Sequence, residues 1–171
     1  MARRFWMGFC GLLVLASVSC RKGTSSSDLA PGAAEGVPAD GFVEARPRPA
    51  DVGKGGLPDA LASHVKKAKA LGLVPYAELG ATWCKPCREL EASMSDPRMK
   101  AAFKGTYIVH LDVDEWGGSL GKSGLGSSSV PIVIALDANG RGTSRTIDGG
   151  AWAENVPENM APKLLTFFRG P

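Results

Sequence analysis

Residues 57–171 read as an α/β domain, and three observations lead there. Helical and strand patterns alternate along the chain, a short apolar strand runs straight into two cysteines spaced as C-x-x-C, and two late strands are joined by an Asn139-Gly140 turn. The 171 residues, 44% hydrophobic and 22% charged, have room for one such domain, while 22 Gly and 12 Pro mark a remainder that does not pack.

Ahead of the domain, Arg3 and Arg4 precede the apolar run FWMGFCGLLVLASV, and the small residues Ser17 and Ser19 lead to Cys20. A basic start, a short apolar stretch and small residues at a cleavage point make residues 1–19 a secretory signal, and the run is too short for a transmembrane helix. ASVSC resembles the lipobox of bacterial lipoproteins, in which the cysteine after the cleavage point is lipidated and begins the mature chain. Ser17 stands where that box has an aliphatic residue. The resemblance implies an exported protein of the cell envelope or periplasm, held to a membrane through lipid on Cys20. An ordinary cleaved signal or an uncleaved anchor is the alternative. Loss of residues 1–19 removes two of the 20 basic residues and none of the 17 acidic ones, so 18 face 17 in the mature chain. Near neutrality, with no block of Lys or Arg, gives no reason to expect nucleic acid. Residues 20–56, rich in Gly, Pro, Ser and Ala, read as a flexible tether, with DGFVEARP inside it able to form a short first strand.

The elements follow in order. LPDALASHVKKAKALG places Leu61, Val65, Ala68 and Leu71 at helical spacing, with Asp59 as a candidate cap and Gly72 as a stop. LVPYAELGA is a strand that enters the cysteine loop. Residues 85–104 are helical, with Leu90, Met94 and Phe103 inward and a break at Asp96-Pro97. TYIVHLDVD is a strand by its β-branched and aromatic content. Residues 117–129 read as a flexible loop, PIVIALDANGRGTSRTI as a hairpin, and VPENMAPKLLTFFRG as a closing helix with Pro157 near its start.

A C-x-x-C can be half of a zinc site, a haem attachment point or a redox couple. Zinc needs four ligands, and His64 and His110 stand far from each other with no pairing signal, so both read as structural. Covalent haem needs a histidine where Arg88 stands. Cys10 leaves with the signal and Cys20 would carry lipid, which makes Cys84 and Cys87 a single free pair rather than a structural framework. Two cysteines on the first turn of a helix can bridge, and the helix N-terminus stabilises the thiolate of the first.

ELGATWCKPCRELE resembles the active-site segment of the thioredoxin superfamily, and the likeness spans most of residues 57–171. It implies a thioredoxin-like fold, a central mixed β-sheet flanked by helices. Trp83 stands directly before the first cysteine, as in thioredoxins. Glu78 occupies the place of that family's buried acid, and Val130-Pro131 that of its cis-proline. By this resemblance Cys84 is the exposed nucleophile and Cys87 the resolving thiol, with Glu78 taking its proton. Trp83, Lys85, Pro86, Val130 and Pro131 form the active-site loop and substrate-docking face. A strand glutamate facing solvent and a trans proline are the plainer alternatives.

The expected activity is thiol–disulfide oxidoreduction on protein substrates, as a reductase fed by a membrane-bound redox partner, with no metal or organic cofactor. A disulfide-forming oxidant is the first alternative. A binding module that holds copper(I) on its thiols, or a partner on residues 117–129 and 148–156, is the second. Gly121-Lys122-Ser123 ends like a phosphate loop, but Trp116 stands where that pattern needs glycine. Asp112, Asp114 and Glu115 read as a solvated strand end.

Overall fold

The computed structural model describes residues 41–170. The expected signal over residues 1–19, Cys20 and the tether up to residue 40 lie outside the described residues. Strand β1 (Val43–Ala45) comes first, followed by a 3-10 turn at Pro49–Asp51 and helix α1 (Gly56–Ala70). Phe42 is buried, and β1 pairs parallel with a later strand through Val43, Glu44 and Ala45. Residues 42–56, expected as tether, therefore belong to the domain, and DGFVEARP supplies the short first strand it was expected to be able to form.

Helix α1 buries Leu57, Leu61, Val65 and Ala68, the stripe a 3.6-residue period predicts. Asp59 makes no cap, because the helix starts three residues earlier. Its end is a Schellman motif: Gly72 adopts φ +69°, its N–H bonds the Lys69 carbonyl, and the Leu73 N–H bonds that of Ala68. Strand β2 (Val74–Gly80) follows, then α2 (Lys85–Ser93) and α3 (Pro97–Phe103). The break falls at Asp96-Pro97: Pro97 has no N–H to offer α2, and the Asp96 carboxylate caps α3 by accepting from the Arg98 N–H at 2.8 Å.

After β3 (Thr106–Asp112), residues expected as a solvated strand end form α4 (Val113–Trp116), and within residues 117–129, expected as a flexible loop, lies α5 (Ser119–Lys122). Asp112 caps α4, and Trp116, Leu120 and Leu125 are buried against α1 and the sheet. These three apolar anchors hold an otherwise Gly- and Ser-rich segment in place. Strands β4 (Ile132–Leu136) and β5 (Gly142–Asp148) form the hairpin. Gly140 sits at φ +80° behind Ala138 and Asn139, and the Asp137 carboxylate accepts from the N–H groups of Asn139 and Arg141. Helix α6 (Pro157–Arg169) closes the chain and runs through Pro162.

The sheet order is β1-β3-β2-β4-β5, with β3 parallel to both β1 and β2, and β4 antiparallel to β2 and β5. Its faces are separate cores. On one, α1, α4 and α5 cover Ala77, Leu79, Val109, Leu111 and Ile134. On the other, α2, α3 and α6 cover Tyr76, Ile108, Val133 and Ala135. This mixed sheet between two helical layers is the thioredoxin-like fold. Both central strands, β2 and β3, end at the cysteine loop, which fixes the site on one rim of the sheet.

Candidate active site

Cys84 is the N-cap of α2, and Cys84 and Cys87 are joined as a disulfide with Cα atoms 5.3 Å apart. The Cys87 N–H donates to Cys84 Sγ at 3.2 Å. A backbone donor at the positive end of a helix is the arrangement that stabilises a thiolate. Cys84 is 4% exposed, which corrects the expectation of an exposed nucleophile. In the bridged form its sulfur turns inward, 3.7 Å from the Val130 carbonyl oxygen, against Ala81, Val113 and Val130.

The rim around the sulfurs carries the exposed groups. Trp83 is 65% exposed, and its indole Nε1 donates to Asp114 Oδ2 at 2.7 Å, so an acid on α4 anchors the ring. Lys85 reaches along α2 to Glu89 at 3.3 Å. Glu89 also accepts from Asn155 Nδ2, while Asn155 Oδ1 accepts from the Trp152 indole. These bonds hold the 148–156 segment beside α2. Pro86, Val130, Pro131, Gly149, Gly150 and Asn155 line a groove of about 400 Å³ next to Cys84. The Val130–Pro131 peptide bond is cis.

Glu78 lies on the inner side of the disulfide. Its side chain is 12% exposed, and its Oε2 bonds His110 Nδ1 at 2.9 Å. Gly80 makes room for it: a methyl group built there would stand 3.3 Å from Glu78 Oε1 and 3.8 Å from Cys87 Sγ, so the carboxylate and the Cys87 sulfur border one small gap. Glu78, Gly80, Cys87 and His110 share a cavity of about 670 Å³ with the apolar side chains of Leu90 and Met94.

His110 departs from the sequence expectation of a histidine without a partner. It pairs in register with Glu78 across β2 and β3, and its second nitrogen, Nε2, bonds Glu44 Oε1 on β1 at 2.8 Å. Burial pulls the imidazole toward its neutral form, but the hydrogen bonds to Glu44 and Glu78 and the charge on Glu78 outweigh that, and its pKa lies above the ordinary 6.5. The hydrogen bond from His110 correspondingly holds the Glu44 carboxyl below its usual value. Neither Glu44 nor His110 carries a motif, and a two-residue alternation in YIVHLD together with the one in PYAEL was the available signal that they share a face. Among the described residues, no group of three or more His, Cys, Asp or Glu side chains is placed to hold a metal ion.

No protein-family model matches the chain, and no curated protein matches it. Solved structures do. A disulphide isomerase from Xylella fastidiosa superposes with a TM-score of 0.48 at 21% identity, over 65% of this chain and 87% of its own. Thioredoxin from Trichomonas vaginalis does so at 0.42 and 24% identity, over 64% and 86%. A thioredoxin from Nicotiana alata does so at 0.44 and 19%, over 73% and 90%.

Proposed function

We propose that the protein is a thiol–disulfide oxidoreductase of the cell envelope that reduces disulfides in other proteins through Cys84 and Cys87. The observation that carries this reading is the dithiol pair itself, bridged at the N-terminus of α2, with the largely buried Glu78 carboxylate and the second sulfur bordering one gap at Gly80. In the reduced protein the Cys84 thiolate attacks a substrate disulfide, forms a mixed disulfide and expels one substrate thiolate. Glu78 takes the Cys87 proton. The Cys87 thiolate then attacks the Cys84 sulfur, closes the intramolecular bridge and expels the second substrate thiolate. Two electrons pass from the pair to the substrate, and a membrane-bound dithiol donor restores them.

The groove of Pro86, Val130, Pro131 and Gly149, with exposed Trp83 beside it, is the docking face of this reading. The reducing direction is supported by Pro86, which is shared with reductase-type thioredoxins while Lys85 replaces their usual glycine, and by the likeness of Lys85-Pro86 and the Glu78 position to membrane-tethered thioredoxin-like reductases. Export is supported by the basic, apolar and small-residue order of residues 1–19, and a lipid anchor by Cys20 directly after Ser19.

Cys87→Ser in the full chain removes the resolving thiol and leaves Cys84 to attack. Mixed disulfides on Cys84 are expected in the envelope fraction and are expected to disappear on adding a reductant. Recovery of no trapped protein there overturns the reading. The equilibrium potential then decides direction: a value near about −270 mV fits a reductase, and one near about −120 mV makes the protein an oxidant.

A further inference from the structure

Three polar side chains form a continuous row across one face of the sheet, on three neighbouring strands. Glu78 on β2 faces His110 on β3 in direct register, and Glu44 on β1 is the diagonal neighbour beyond it, opposite Ile108. The links are 2.9 Å and 2.8 Å. Exposure along the row is 12%, 8% and 39%, so it begins beside Cys87, passes through the interior and ends at the surface. Arg46 stands at that outer end, 3.5 Å from Glu44 and 2.8 Å from Glu91.

We propose that Glu78, His110 and Glu44 act as a proton conduit for the dithiol, in which uptake of the Cys87 proton by Glu78 is matched by release of a proton from His110 to Glu44 and water. This rests on the oxidoreductase reading above. In the reduced protein Cys87 is a thiol, Glu78 a carboxylate and His110 an imidazolium that donates from both nitrogens. As Cys87 attacks the Cys84 sulfur of the mixed disulfide, its proton moves to Glu78 Oε1, the oxygen on the Gly80 side, and the His110 Nε2 proton leaves through Glu44. The Cys87 electron pair becomes the new S–S bond, and the substrate thiolate carries the negative charge away. The Glu78–His110 pair is then net neutral before and after, as carboxylate with imidazolium and later as carboxylic acid with imidazole.

That balance is the physical reason for the row. If Glu78 takes a proton while His110 stays charged, the Glu78–His110 pair gains a net positive charge in the interior, and the imidazolium keeps only the more exposed Glu44 as its counter-ion. A histidine tied only to Glu78 has no outlet. Glu44 supplies one, and it is the member of the row in contact with solvent. Other charged groups border the same cavity: Arg46 and Arg48 with Asp51 from the segment containing β1, Arg88 and Glu91 from α2, Asp112 at the end of β3 and Glu115 on α4. Arg46 opposes the charged imidazole, while Glu44 and Glu78 favour it.

Glu44→Gln tests the conduit, because glutamine still accepts the His110 Nε2 hydrogen bond but cannot take its proton. The reduced full chain is mixed with one equivalent of an aryl disulfide whose thiolate absorbs, and the two thiolates are released in turn, by Cys84 attack and by Cys87 resolution. Glu44→Gln is expected to slow the second release by about tenfold near neutral pH, below the 10²–10⁴ of a directly positioned base, and to make its rate rise more steeply with pH. His110→Gln, with a far-ultraviolet spectrum matching the parent, is expected to slow the same step. An unchanged second release in Glu44→Gln overturns the conduit and routes the proton through the cavity. Equal slowing of both releases also overturns it, since that is a general field effect. Absence of both releases in the parent protein is a different failure, that of the oxidoreductase reading.

Discussion

Gly80 is where the geometry of the site can be tested with one carbon atom. Gly80→Ala places a methyl group 3.3 Å from Glu78 Oε1, 3.6 Å from Cys87 Cβ and 3.8 Å from Cys87 Sγ. The two cysteine distances are ordinary contact, but the carboxylate has to give by a few tenths of an ångström. A misplacement of about 1 Å costs about 10²-fold in rate, so on a logarithmic scale a shift of about 0.3 Å costs about fourfold. The same change removes backbone freedom from the unfolded chain, worth about 0.4–1 kcal/mol, which offsets the tight contact and holds the stability change within about 1 kcal/mol. The assay pairs urea unfolding of the full chain with the two-step aryl disulfide reaction. Resolution by Cys87 is expected to fall about fourfold while the Cys84 step and the unfolding midpoint stay near their parent values. Gly140→Ala gives the opposite pattern: its methyl would meet the Ala62 nitrogen at 2.6 Å at a φ of +80°, so stability falls by more than about 1 kcal/mol and the chemistry is untouched. A Gly80→Ala protein that resolves at the parent rate refutes the adjacency of Glu78 and Cys87 as the basis of proton transfer.

Glu78→Gln removes the base but keeps an acceptor for His110, so resolution is expected to slow by about 10²-fold with initial attack changed far less, read in the same two-step reaction. His110 also couples folding to pH. Its native pKa lies above 6.5 and that of Glu44 below 4.5, so the histidine's contribution to stability is full below 6.5 and is lost as pH rises through its raised native value, whereas that of Glu44 is lost as pH falls below 4.5. Unfolding of His110→Gln at a series of pH values is expected to lack the loss on the alkaline side, and a parent-like loss assigns it to another group.

Much of the fold was legible because local rules and tertiary packing agree. The stripe of Leu61, Val65 and Ala68, the stop at Gly72 and the split at Asp96-Pro97 are written in spacing and in the chemistry of single residues. The hairpin at Asn139-Gly140 is of the same kind, although the turn uses three residues where two were expected. The segment after β3 was misread because glycine and serine dominate it, while the residues that order it, Trp116, Leu120 and Leu125, act only by docking on a surface that the rest of the chain builds. Strand β1 falls inside DGFVEARP, where a short first strand was expected, although its setting in the tether gave that expectation little local support. Three residues in a Pro- and Gly-rich stretch have no intrinsic preference that outweighs their setting, and they become a strand by pairing with β3.

The site divides along the same line. The sequence by itself determined the dithiol, its place on the first turn of a helix and, through resemblance, the proline opposite and the acid beneath, because those positions stand at fixed distances along the chain from recognisable neighbours. Only the tertiary structure decided that Cys84 is buried when bridged, that Asp114 holds Trp83, and that His110 joins Glu78 to Glu44. Residues 44, 78 and 110 meet through strand register, and register follows from which apolar faces the helices cover, a property of the whole domain and of no single stretch of it.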